Sequence, residues 1–207
     1  MKHLLLIFIY KIVLPLPLKM VGVRVRNKKN LNEVQPIIIV ANHNSHLDTM
    51  ALLSSLPSSA LALTHPVATA AYFGKKKCLA FLSNLLVNTV LIQKHDNQGG
   101  SKALEVLDQT IKAGHSLILF PEGTRGKPGQ LEEFRTGVGV LLLQNPDVKY
   151  LPVWIEGTGN ILPKGALWLR PHVATVIVGQ ASLPKATTVA ALTEEVKNAV
   201  LQVGKVE

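Results

Sequence analysis

Short apolar runs recur along this 207-residue chain, each closed by a turn residue or a polar cluster. PIIIVAN (36–42), VNTVLIQK (87–94), SLILFPEG (116–123), VKYLPVWIEG (148–157) and HVATVIVGQ (172–180) are rich in Val, Ile and Leu and nearly continuous. A strand with one wet face alternates apolar and polar residues, whereas a strand covered on both faces reads as an unbroken apolar run. Stretches of helical character separate these runs. TMALLSSL (49–56) follows the first, started by Asp48 or by Ser45 before it and stopped near Pro57. GGSKALEVLDQTIKAG (99–114) places Leu104, Leu107 and Ile111 at helical spacing, with Ser101 as its expected cap and Gly114 as its expected stop. FRTGVGVLLLQN (134–145) reads as a helix tolerating two glycines, and TTVAALTEEVKNAVLQVG (187–204) as a terminal helix. LALTHPVATAAYF (61–73) divides into a short strand and then a helix. Strands separated by helices predict an α/β fold: a single domain with a largely parallel central sheet flanked by helices. At 22.4 kDa the chain can bury a core of that size. Chemistry in such a fold is expected at the carboxyl ends of the strands.

The first 30 residues differ from the rest. They hold Lys2, Lys11, Lys19, Arg24, Arg26, Lys28 and Lys29, and no acidic residue occurs before Glu33. The chain carries a net charge of +9, but the residues beyond this arm hold 15 basic against 13 acidic side chains. The basicity therefore belongs to the arm. Nucleic acid is not an expected partner, because the remainder is nearly neutral and lacks the aromatic and basic interleaving of single-strand binders. The arm opens MKHLLLIFIYKIVLPLPLKM, in which Lys11 interrupts the apolar run and Pro15 and Pro17 are expected to break it. A spanning helix needs about 20 mainly apolar residues, and no small-residue cleavage site marks a signal peptide. An apolar segment studded with lysines and followed by RVRNKK favours a peripheral or monotopic anchor on an anionic, cytoplasmic membrane face over a spanning segment or an ordinary packed helix. The division expected is 1–30 as a basic, apolar membrane-associating arm and 31–207 as the functional domain. Only 17 % of residues are charged and the mean hydropathy is +0.27, consistent with a partly apolar surface. The single cysteine, Cys78, excludes an intramolecular disulfide and reads as structural or incidental.

Two polar clusters stand at strand ends. The first, NHNSHLD (42–48), places His43 five positions ahead of Asp48. If the chain turns from strand into helix between them, Asp48 can fold back onto one imidazole nitrogen and leave the other as a base. The alternative is structural, with His43 closing the strand and Asp48 capping the helix. His43, His46 and Asp48 lie in one loop with no second ligand cluster, so no metal is expected. The second cluster, FPEGTRG (120–126), offers a tight turn at Gly123, a carboxylate at Glu122 and the guanidinium fork of Arg125, suited to a phosphate. A solvated turn is the alternative there. Lys94 adds a cation at the end of its strand.

The pair NHNSHLD and FPEGTR, in that order, with VLIQK between and LPVWI after, resembles the glycerolipid acyltransferase family, typified by the bacterial 1-acylglycerol-3-phosphate acyltransferases. The resemblance runs from about residue 20 to 180. It implies that His43 is the catalytic base and Asp48 its partner. It also implies that Glu122 and Gly123 belong to a second catalytic block, that Arg125 meets the acceptor phosphate, and that Leu151, Pro152 and Val153 form the later apolar motif. Lys94 stands where the family commonly has an arginine, which keeps the charge but loses the bidentate fork. The expected activity is transfer of a fatty acyl group from acyl-CoA or acyl-carrier protein to the hydroxyl of a lyso-lipid at a membrane, foremost 1-acylglycerol-3-phosphate to give phosphatidic acid, with Thr124 near the acceptor and no resident cofactor. Direct transfer is expected, Ser45 and Thr124 being the residues that could instead carry an acyl group. Other lyso-phospholipids or lyso-aminolipids are alternative acceptors. A hydrolase using the same His–Asp pair, and a catalytically silent membrane-binding module, are the rival classes.

Overall fold

The computed structural model describes residues 2–33, 35–69, 86–92, 99–126, 129–163 and 168–205. Among these residues, strands β1 (Val23–Arg26), β2 (Ile38–Ala41), β3 (Thr64–Thr69), β4 (Val90–Ile92), β5 (Ser116–Leu119), β6 (Tyr150–Glu156) and β7 (Ala174–Val178) form one sheet. Its order is β1-β7-β6-β2-β5-β3-β4. Every neighbouring pair is parallel except β6 with β7. The helices are α1 (Lys2–Met20), α2 (His46–Ser55), α3 (Gly99–Lys112), α4 (Gly137–Gln144), the short α5 (Thr158–Ile161) and α6 (Val189–Lys205).

The central strand β2 explains the unbroken apolar runs. Ile38 to Ala41 are all buried, and successive side chains point to opposite faces. Ile39 and Ala41 enter a core with Leu6, Tyr10 and Leu18 of α1 and Leu47, Ala51 and Leu52 of α2. Ile38 and Val40 enter the other core, with Leu107 and Ile111 of α3, Leu141 and Leu142 of α4, and Val196 and Val200 of α6. The α/β fold with a largely parallel, helix-covered sheet is thus the one expected.

Several local expectations shift. Helix α3 begins at Gly99, so Ser101 lies inside its first turn; Gly114, at φ +83°, does close it. The glycine at 139 in α4 has a packing reason: a Cβ there would run into the carbonyl of Val189 at the start of α6. Within the described part of 87–94 the strand is Val90–Ile92, and Asn88 sits in the left-handed region at φ +57°. Lys94, Cys78 and the helical half of 61–73 lie outside the described residues. Pro15 and Pro17 do not interrupt α1. Leu14 N–H bonds back to Ile9 O at 2.9 Å in a widened π turn (Phe8–Val13), and Pro15 then takes the first position of the next α turn, where no N–H is required.

Helix α1 is long and apolar enough to cross a membrane by length and composition. It nonetheless lies along the domain. Leu6, Tyr10 and Leu18 are buried beneath it, and Lys11 Nζ donates to Ser54 O at 2.8 Å and to Leu56 O, capping the carbonyl end of α2. The opposite face exposes Leu4, Phe8, Ile12, Leu16 and Met20, spaced every four residues. Past α1 the basic stretch does not stay apart from the domain: Arg24 and Arg26 sit on β1, the edge strand beside β7.

Candidate active site

Sheet order brings the two polar clusters together. Strands β2 and β5 are direct parallel neighbours, with Val40 opposite Leu119, so the segments that follow them leave the sheet side by side. Asn42 extends β2 with its side chain: Nδ2 donates to Ile155 O at 2.7 Å and Oδ1 accepts from Ile155 N at 2.7 Å. Asn44 Nδ2 donates to the same carbonyl at 3.0 Å. These amides replace ladder bonds where the backbone turns away, which is why a buried strand ends in asparagines.

Ser45 caps α2. Its Oγ accepts from Leu47 N at 3.3 Å and donates to Leu162 O at 2.9 Å, and its own N–H donates to Asp48 at 2.8 Å. The carboxylate of Asp48, fully buried, gathers three donors on Oδ2: Asn44 N at 2.7 Å, Ser45 N at 2.8 Å and His43 Nδ1 at 2.9 Å. Among the described residues, Oδ1 of Asp48 has no partner. A carboxylate in the first turn of a helix is also favoured by the helix dipole. Asp48 therefore both caps α2 and binds His43; the two readings of this residue are one arrangement. Because the carboxylate only accepts, His43 carries a proton on Nδ1, and in the neutral imidazole that tautomer puts the lone pair on Nε2. The His43 side chain is 17 % exposed.

The second cluster grips His43 at three points. Phe120 stacks on the imidazole with ring centroids 4.1 Å apart. Glu122 Oε1 accepts from His43 N at 2.8 Å, and Gly126 N donates to His43 O at 2.9 Å. Both polar groups of the His43 peptide are thus fixed by the chain after β5. Glu122 is 5 % exposed, and burial pushes its carboxyl up to about 7 against the bonds from His43 N and Glu132 N that favour its charge. Its geometry is that of a clamp on the histidine loop.

Gly123 adopts φ +73°, and a Cβ there would collide with the Arg135 guanidinium, which lies across the turn and donates from Nε to Glu122 O at 3.3 Å. Arg135 was not foreseen from the sequence. Its one signal is position, at the start of the helix that follows this loop. Arg125 is half-buried and near His46, whose pKa is lowered by burial and then by the charges of Arg125 and His43, opposed by Asp48. Thr124 is exposed at the turn. Leu151, Pro152 and Val153 belong to β6 and sit in the sheet beside β2, supporting the site from below. Among the described residues, no group of three or more His, Cys, Asp or Glu side chains is placed to hold a metal ion. The assembly is an oriented imidazole base with a buried counter-carboxylate, a rigidly held backbone and a cation at the rim. It is equipped to deprotonate a hydroxyl.

Comparison with known proteins gives the family and the fold. The acyltransferase family model matches residues 22–156, more than half of the chain. A probable 1-acyl-sn-glycerol-3-phosphate acyltransferase of Mycoplasma genitalium is 31 % identical over 124 residues, covering 60 % of this chain and 45 % of that protein. The 1-acyl-sn-glycerol-3-phosphate acyltransferase of Pseudomonas aeruginosa is 28 % identical, covering 77 % and 60 %. The chain thus spans less than two thirds of the length of these relatives. The crystal structure of the 1-acyl-sn-glycerophosphate acyltransferase PlsC from Thermotoga maritima has the same fold, with a TM-score of 0.70, 23 % identity, and coverage of 90 % of this chain and 72 % of that one.

Proposed function

This chain belongs to the acyltransferase family, and from that premise we propose that it moves a fatty acyl group from an acyl thioester to the hydroxyl of a lyso-lipid. The acceptor that best suits the site is 1-acylglycerol-3-phosphate, and the product is then phosphatidic acid. One observation carries the reading: His43 is bound through Nδ1 to Asp48 and held through its ring and both peptide groups by Phe120, Glu122 and Gly126, leaving the Nε2 lone pair for chemistry.

His43 Nε2 takes the proton of the acceptor hydroxyl as that oxygen attacks the thioester carbonyl carbon. Asp48 balances the imidazolium that forms and keeps the ring in one tautomer. The tetrahedral intermediate collapses with loss of the C–S bond. The departing thiolate of coenzyme A or carrier protein then recovers the proton from His43. Ser45 is engaged in capping α2, which supports direct transfer over an acyl-serine. Glu122 and Gly123 act as positioning residues, the first on the His43 backbone and the second by admitting Arg135. Arg125, with Lys94 and Thr124, receives the acceptor phosphate. Helix α1 rests on the domain with one apolar stripe outward, which supports a monotopic position on a membrane, and the basic residues of the first 30 favour its anionic, cytoplasmic face.

The test is thiol release from palmitoyl-CoA in detergent, with and without lysophosphatidic acid, for the wild type and His43→Ala. The expected result is acceptor-dependent release that falls at least a hundredfold in the variant. Release independent of acceptor makes the protein a hydrolase and refutes the transfer reading.

A further inference from the structure

We propose that the loop Trp168–Val173 is a second bilayer contact, seated in the headgroup layer of an anionic leaflet next to the carboxyl end of α1; the proposal rests on the reading of α1 as membrane-associated. The loop displays its apolar residues. Trp168 is 82 % exposed, Val173 61 % and Leu169 47 %. An exposed tryptophan on a mobile tip means little, but this backbone is tied down. Arg170 N donates to Ile161 O at 2.8 Å, His172 N to Val21 O at 3.1 Å, and Ala174 N to Gly22 O at 3.1 Å. Gly22, at φ +97°, and Gly157, at φ +78°, admit this close approach, since a Cβ on either would collide with the carbonyl of His172 or of Val173. The fold thus fixes the backbone at Arg170, His172 and Ala174, and the exposed Trp168 stands two residues before the first of these ties.

The bonds to Val21 and Gly22 join the loop to the end of α1, where Leu16 and Met20 are 64 % and 74 % exposed. The exposed stripe of α1 therefore continues into the loop. Tryptophan favours the bilayer interface, where its ring is apolar and its N–H finds a partner.

Charge selects an anionic leaflet over a protein partner. No acidic residue occurs in 1–32 or in 157–193, which supply α1, β1, the loop and β7, although the exposed Glu156 stands opposite Thr175 beside them. Lys19, Arg24, Arg26 and Arg170 are all exposed along it. Basic residues near an anionic surface add attraction without a specific partner.

The loop is also close to the chemistry. Strand β7 begins at Ala174, level with the carboxyl end of β6. Leu162, adjacent to the Ile161 carbonyl that receives Arg170 N, accepts from Ser45 Oγ at the cap of α2. Contact of this loop with the leaflet sets the mouth of the site at the membrane surface, where a lyso-lipid acceptor resides.

Trp154 and Trp168 are the two tryptophans of the chain, so wild type minus Trp168→Phe isolates the fluorescence of Trp168. The full chain is mixed with vesicles of phosphatidylcholine and phosphatidylglycerol bearing brominated acyl chains. The expected result is strong quenching of the Trp168 emission, and roughly tenfold weaker vesicle partitioning for Trp168→Ala. Activity of that variant on detergent-dispersed acceptor should be unchanged. If the wild type sediments with vesicles while Trp168 stays as open to aqueous acrylamide as before, the loop proposal is overturned and the role of α1 stands. If the wild type does not bind vesicles, both fall. A Trp168→Ala protein that loses self-association with unchanged partitioning assigns the surface to a second copy and also overturns it.

Discussion

Replacing Glu122 by glutamine separates clamping from charge. The carboxyl is raised from its ordinary 4.5 to about 7 because ionising it in a buried setting is unfavourable. A pKa raised on folding means that the native state holds the proton more tightly. The stabilising contribution is then full below about pH 4.5 and is lost as pH rises through about 7. The full shift corresponds to about 3 kcal/mol, and solvent screening at the exposed Gly123–Thr124 rim reduces the expected value to about 2 kcal/mol. Glutamine retains the acceptor for His43 N, now 2.8 Å away, and turns an N–H toward Glu132 N, whose bond to Glu122 is already long at 3.4 Å. Glu122→Gln should therefore match the wild type at pH 4.5 and exceed it by about 2 kcal/mol at pH 8, or about 6 °C in Tm for a chain of this size. It should keep activity within about tenfold, while Glu122→Ala, which frees the His43 peptide, loses far more. The assay is denaturation at both pH values for both proteins, with transfer rates measured alongside. A stability difference that is the same at pH 4.5 and pH 8 refutes the burial argument. A glutamine variant as inactive as the alanine variant refutes the clamp and places the carboxylate in the chemistry.

Asp48→Asn keeps an oxygen for the three converging donors but removes the charge facing the imidazolium and buries an NH2 group where Oδ1 already lacks a partner among the described residues. Activity should drop by about 10²–10⁴-fold, with the protein destabilised by about 1–3 kcal/mol; a near-wild-type rate removes Asp48 from the mechanism. Gly123→Ala meets a left-handed backbone and the Arg135 guanidinium together, at a cost of about 1–3 kcal/mol. Adding Arg135→Ala should recover part of that loss, and a double-mutant cycle with purely additive terms rejects the contact as its source.

Much of the molecule was legible in the chain. Runs such as PIIIVAN and SLILF announce strands covered on both faces, since only there does a strand dispense with alternation. Gly114 marks a helix end because few other residues adopt its backbone, and Ser45 with Asp48 marks a helix start through local reciprocal bonds. The errors have a common cause as well. Ser101 was expected to cap α3, and Pro15 and Pro17 to break α1, on local rules alone. Packing of Leu6, Tyr10 and Leu18 on the domain holds α1 together through a π turn instead. Nothing in the arm's own residues says that its Val23–Arg26 stretch pairs with β7, a partner far along the chain.

The functional site divides in the same way. The His43–Asp48 bond spans five positions, so a local turn from strand into helix is enough to bring the two together, and the sequence offers that pairing beside a purely structural one. Nothing local says that β5 lies beside β2, or that Phe120, Glu122 and Gly126 close around the His43 ring and peptide. Arg135 over Gly123 and the Asn42 link to Ile155 were equally invisible. Short-range hydrogen bonding and side-chain periodicity are properties of a segment and can be read from it. Strand order, by contrast, results from how all the apolar faces are buried at once, and that global packing is what turns a histidine with a neighbouring aspartate into an aimed base.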